Sequence, residues 1–390
     1  MTIETGALEQ SYAKVESAFA ASAATGGEAL AGTDGIRHLE LSLSSKKNRE
    51  DSPEKRGTPD VQQRLPRRQT TNWNLSSIMW EPSGTLGTIS NVGKFIKAGF
   101  GANHVLSLTT TVAAAPAPTA TGCDLTSAAG VQVGDVIVFT VGAGARREVT
   151  RIKTLAGSSI TYDALSAAPD TPGAAVVGIT YNLANNLTES LSIYKFYNAG
   201  NHKQAAFGSV VNQLQMNFDG TREVLLSLQG PSARYADAST GGGTIQAKPG
   251  THVTVGSPAS GLIGNFYVDG NAFLVIAAQC TVDNAIELRN KELGTQWASG
   301  IAGRGALRKV NVSVTFYLED TRLIGYANSI TTGVLRCIVG QTNGSMVAAV
   351  LPKVEFEIPD IGNEIGPKEI TVEGTALATS GNDQVFLAEI

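Results

Sequence analysis

Alternation is the most regular signal along this chain. In "RKVNVSVTFYLE" (308–319), Val310, Val312, Val314, Phe316 and Leu318 fall on one side, and Lys309, Asn311, Ser313, Thr315, Tyr317 and Glu319 on the other. A period of two with one apolar and one polar face predicts a half-buried antiparallel strand. "SVVNQLQMNF" (209–218), "REVLLSLQG" (222–230), "PKVEFEIP" (352–359) and "KEITVEGTALA" (368–378) repeat the pattern. Helical spacing is scarce. It predicts short helices over 91–100 and 320–330, and an N-terminal amphipathic helix over 7–20 with Leu8, Tyr12, Val15 and Phe19 on its apolar side. Trp73 and Trp80 are expected to pack in a core or between subunits, and Phe316 and Phe356 in a core.

Two stretches interrupt the strand pattern. Residues 103–182 contain the connector "VAAAPAPTATGC", then strand-like runs at 131–141, 146–157, 158–166 and 173–183, separated by glycine turns. They predict a small inserted β-barrel or sandwich with its own core. Residues 237–260 are rich in Gly, Ser and Thr and read as a linker. With both set aside, one order occurs twice: strand, long loop, strand, short helix, hairpin. The first copy uses 36–43, 70–80, 91–100 and 192–234, and the second 277–288, 308–319, 320–330 and 336–378. The two hairpins align residue for residue. The expected division is therefore a first module over 1–102 and 183–236, an insert at 103–182, a linker at 237–260 and a second module over 261–390.

Composition narrows the function. Charged residues make up 16% of the 390, below the usual quarter, and the net charge of −4 gives no basic footprint for gripping nucleic acid. Three cysteines (Cys123, Cys280, Cys337) and four histidines lie scattered, which predicts reduced thiols and no metal site. The N-terminus lacks the basic start of a secretory signal, and "AKVESAFAASAATGGEALAG" is too small and broken to span a membrane. No nucleophile motif, P-loop or zinc motif occurs, so neither an enzyme nor a cofactor is expected. Glu355 with Glu357, and Glu369 with Glu373, share strand faces in the manner of glycosidase carboxylates, although a solvated face is the commoner reading.

Between the strands at 36–43 and 70–80 lies "KKNREDSPEKRGTPDVQQRLPRRQ" (46–69), with eight basic residues, four acidic ones and three prolines. Such a run is expected to be a long loop over 44–69, ordinarily solvated.

The doubled order of strand, long loop, strand, short helix and hairpin resembles the tail tube proteins of long-tailed bacteriophages, over 36–100, 190–236 and 262–390. The resemblance implies a mainly β fold: two tandem tube-like β-sandwich or barrel modules, each with a short helix, plus the inserted β domain. It also implies that three fused chains build the ring that six single modules build elsewhere. The long loop would then reach onto the adjacent ring through Lys46, Lys47, Arg49, Glu50, Asp51, Glu54, Lys55, Arg56, Arg64, Arg67 and Arg68, with 289–307 as the second copy's counterpart. The partners implied are the chain itself, a tape measure protein and genomic DNA in the bore, and tail terminator and distal tail proteins. The location implied is the virion tail, after assembly in the host cytoplasm.

A bore that DNA slides through should avoid basic walls and tolerate acidic or neutral polar ones. The candidates to line it are Glu40, Glu223, Asp283, Glu355, Glu357, Glu369 and Glu373. Other virion β proteins (head–tail joining, distal tail or capsid-decorating) and a carbohydrate-binding or carbohydrate-cleaving β-sandwich share the strand pattern and are the rival readings.

Overall fold

The computed structural model describes residues 9–390 apart from 22, 24–25, 52–63, 145, 198–201, 238–244, 253–255, 319–321, 330 and 360–368. Strands hold 53% of the residues and helices 8%, so the fold is mainly β. In chain order come β1 (Gln10–Val15), β2 (Gly35–Ile36), β3 (His38–Asp51), β4 (Arg64–Met79) and helix α1 (Asn91–Phe100). Then follow β5 (Gly101–Thr111), β6 (Gly122–Asp124), β7 (Val136–Val141), β8 (Arg146–Ala156), β9 (Ser159–Tyr162) and β10 (Ala174–Leu183). Next are β11 (Leu191–Tyr197), β12 (His202–Ser209), β13 (Gln213–Asp219), β14 (Leu225–Ser232) and β15 (Arg234–Asp237). The last third gives β16 (Gly264–Val268), β17 (Asn271–Phe273), β18 (Ala277–Asp283), β19 (Ile286–Leu288), β20 (Ile301–Arg304) and β21 (Lys309–Tyr317). Helix α2 (Arg322–Ser329), β22 (Thr332–Val339), β23 (Val347–Phe356), β24 (Glu369–Ala376) and β25 (Phe386–Glu389) complete the chain.

One antiparallel path runs β3–β4–β14–β13, crosses to β18, and continues β18–β21–β24–β23. The two groups of four have the same internal order. The alternation explains the layer beneath them. Leu41, Trp73, Leu75, Leu214, Met216, Leu226, Leu228, Cys280, Val282, Val310, Val312, Val314, Ile370 and Val372 all point to one side and form the main core. Trp80, Phe316 and Phe356 belong to the same core, and all three cysteines are free and buried. Helix α1 lies in this layer. Its N-cap Ser90 accepts from Gly93 N–H, and Gly101 ends it in the left-handed region at φ 87°.

Two expectations are corrected. Residues 10–15 form strand β1, not part of a helix: β1 is held between β11 and β2, and its backbone bonds go to those neighbours. Tyr12 and Val15 suit either period, and the tertiary partner decides between them. Leu8 lies outside the described residues. The charged run is likewise not a loop throughout 44–69. β3 and β4 stay paired from His38↔Ile78 out to Asp51↔Arg64, so the flanks of the run are an extended β-hairpin. The rungs of a two-stranded ladder are backbone-to-backbone bonds and need no apolar face, so a lack of apolar residues does not report its absence. Pro66 falls where the register shifts between Lys47 and Arg49, a bulge that tolerates a residue without an N–H.

The inserted stretch closes its own cluster around Ile137, Phe139, Ile152, Ile160, Tyr162 and Val177. Its other face packs on the second half of the chain, where Val136, Val138, Val149 and Val176 meet Ile338, Met346, Val350 and Phe386. The C-terminal strand β25 sits between β10 and β23 and pairs with both. In the 237–260 stretch, Ile245 packs against Tyr194 and Phe207, and His252 lies edge-on to Tyr12 at 5.3 Å.

Candidate functional site

The face of the eight-stranded path opposite the core is polar along its length, and its rows can be followed by register. One row runs Ser42, Asn74, Gln229, Gln213, Asp283 and Lys309, each directly opposite the next. A second runs Ser227, Gln215, Thr281, Asn311, Thr375 and Glu355. A third runs Asn217, Gln279, Ser313 and Glu373, and the Glu357 N–H donates to Glu373 O at 2.8 Å to extend it. Amides and hydroxyls bond to one another along the face: Gln229 to Gln213, Gln215 to Asn217 (3.2 Å), and Thr315 to Thr371 (2.9 Å).

The acidic candidates are placed as follows. Glu40 is exposed on β3 opposite Ser76. Asp283 ends β18, half-buried, and accepts from Ala285 N–H at 3.0 Å. Glu369 and Glu373 stand exposed on β24, and Glu355 and Glu357 on β23 and just past it. Asp283 and these four glutamates gather on the β18–β21–β24–β23 half. Glu223 is exposed ahead of β14, in a bridge with Ser260, at the sheet's end rather than within a row. Glu357 and Glu373 border an open recess with Gln279, Thr281, Asn311, Ser313 and Thr375. A negative half therefore adjoins a half made mostly of neutral amides and hydroxyls, with Lys46, Lys309 and Lys353 as cations at the same parity.

Sequence reading singled out the acids and passed over the neutral rows of Asn74, Gln213, Gln215, Asn217, Gln229 and Gln279. The alternation in 209–218 and 222–230 carried that signal, because Gln213, Gln215 and Asn217, and Ser227 and Gln229, take every second place there.

The charged-run residues sit at one end of this face. Lys46, Lys47, Arg49, Glu50 and Asp51 are in β3, and Arg64, Arg67 and Arg68 in β4, while Glu54, Lys55 and Arg56 lie outside the described residues. The 289–307 stretch reaches the same end. Arg68 Nη1 donates to Thr295 Oγ1 at 3.4 Å, and a groove between the two is lined by Thr70, Asn72, Pro231, Leu288, Lys291 and Trp297. Arg304 anchors that segment by donating to Asn284 O (2.8 Å) and Oδ1 (3.0 Å), and Arg308 donates to Ala184 O. Burial and the neighbouring Arg304 push the Arg308 guanidinium down to about 10. Leu293 and Leu307 project from the segment into solvent.

Neither a scan against protein-family models nor a search of curated proteins returns a match to this chain.

Proposed function

We propose that this chain is a structural virion protein, a tail tube subunit with a duplicated module, three copies of which close a ring whose stacked array conducts DNA. One observation carries the reading. Two four-stranded units of identical order join into a single arc with a continuous core face and a continuous polar face. Three arcs of eight strands give a barrel of about 24, and closing it covers the outer edge of β3, which has no strand partner among the described residues.

The polar face suits the wall of such a bore. Neutral amides offer DNA no fixed counterion, and the carboxylates of Glu355, Glu357, Glu369 and Glu373 repel phosphate and keep the duplex from adhering. A tape measure protein would occupy the same bore before the genome does, and tail terminator and distal tail proteins would meet its two ends. The insert would lie on the outside of the ring. The β3–β4 hairpin, at one end of the arc, would reach the next ring.

Negative-stain electron microscopy of the purified protein tests this. Long hollow tubes are expected. Isolated rings that never stack favour a head–tail joining or distal tail role instead, and dispersed monomers that bind glycans would overturn the proposal.

A further inference from the structure

We propose that copies of this chain stack head to tail by seating Leu293 of one copy in an apolar recess beside Leu274 of the next. The inference rests on the stacked-ring reading above and names a contact that joins one ring to its neighbour.

The recess lies where β13 ends and β18 begins. Its walls are Phe218, Phe266, Phe273, Leu274, Cys337 and Val339, and its volume is about 110 Å³, room for one branched aliphatic side chain. Leu274 is 93% exposed, and Leu262 and Ile263, between the lining residues Gly261 and Gly264, are exposed as well. Three apolar side chains left in water around an apolar hollow mark an interaction surface.

The matching knob stands at the other end of the strands. Along β18, Ala277 faces Asp219 beside the recess, and Asp283 faces Gln213 at the end that carries the β3–β4 hairpin and the 289–307 segment. On that segment Leu293 is 99% exposed, and Gly294 turns the chain directly after it at φ 81°. The seven residues of β18 separate the two sites by about 20 Å at the usual rise per residue. A chain therefore cannot fill its own recess, and the occupant is a second copy. A contact between two different patches of one molecule is heterologous and repeats along the direction that separates them. Here that direction follows the strands, as stacking requires. The charges agree with it. Arg289 and Lys291 outnumber Glu292 around Leu293, while Asp219 and Glu223 outnumber Arg222 beside the recess. Hydrogen bonds from Thr221 Oγ1 (2.7 Å) and N–H (2.8 Å) hold the Asp219 carboxyl below the usual carboxylate range, so it stays ionised.

The test follows tube formation by the full chain in electron microscopy and sedimentation. Leu293→Asp should raise the protein concentration at which tubes appear at least about tenfold and leave isolated rings, because a buried leucine is lost at every contact between rings. Leu293→Met should assemble normally. Asn265→Trp, which fills the recess from an exposed lining position, should act like Leu293→Asp. Leu293→Cys combined with Leu274→Cys, assembled and oxidised, should give a non-reducing ladder that runs past the trimer, since chains of successive rings link in series. The native thiols do not compete: burial pushes Cys123 up to about 11 and Cys280 and Cys337 to about 12. Tubes that form unchanged in Leu293→Asp and Asn265→Trp, or a ladder that stops at the trimer, overturn this seat and leave the ring reading standing. Wild-type protein that forms neither rings nor tubes overturns both.

Discussion

Glu389 shows how much one buried residue can hold together. It lies next to the C-terminus on β25, and its carboxylate accepts from Trp80 Nε1 (2.9 Å), Ser90 N–H (3.2 Å), Ser90 Oγ and Tyr181 Oη (3.1 Å). Those donors come from the segment after β4, the α1 N-cap and β10, so one side chain ties three parts of the chain to its last strand. Burial is the largest influence on its carboxyl and raises it above the ordinary range, against the four donors that lower it. A raised acid contributes stability that is complete below the usual carboxylate pKa and is lost as pH climbs through the folded value. Thermal midpoints should therefore fall as pH rises from about 4.5, and this component should vanish in Glu389→Gln. Glu389→Ala leaves the indole and backbone donors buried without partners and should cost at least about 2 kcal/mol in denaturant titrations. Nothing in the sequence marked this residue. An acid one place from the chain end looks solvated until the strand beside it is seen to be central.

At the scale of elements, what was legible followed the faces. The alternation in 308–319 predicted β21 and its polar side because one side is buried and the other is not. The 91–100 helix agreed to the residue because its cap, its apolar spacing and its terminal glycine all coincide. The reading broke down where a partner strand decides. β1 carries Tyr12 and Val15 at a spacing that suits a helix, yet pairs with β11. The charged run contains a ladder without an apolar face. A glycine hid another constraint. Gly178 sits at the register shift in β10, and a Cβ there would lie 2.2 Å from Glu389 O on the adjoining β25. Gly178→Ala should push the two strands apart and destabilise the protein by about 1–3 kcal/mol, seen as a lower denaturation midpoint. The paired hairpin invites a second test at this scale. Replacing residues 48–67 by a two-residue glycine-containing turn should leave rings intact and abolish their stacking, visible as isolated rings by microscopy. Tubes of ordinary length from that variant would remove the hairpin from the stacking contact.

At the scale of the whole molecule, β3–β4–β14–β13 and β18–β21–β24–β23 join into one antiparallel path, and the 103–182 stretch packs on the second half of the chain. Buried Arg336, on β22 under the insert, donates to Val149 O at 3.0 Å and lies 5.3 Å from the Tyr267 ring centre. Arg151 of the insert bonds to Asp383 at 3.2 Å. An insert held this way keeps its orientation in an assembly. Composition could place neither contact, because both join residues nearly two hundred positions apart or more.

The central claim is that three chains close a bore lined by the polar face, and a cryo-electron reconstruction of the assembled protein tests it most directly. The account predicts three chains per ring and a bore walled by about 24 strands, with Asn74, Gln215, Thr281 and Glu373 pointing inward. A ring of six chains, or a bore lined by any other surface with these residues facing out, would contradict it.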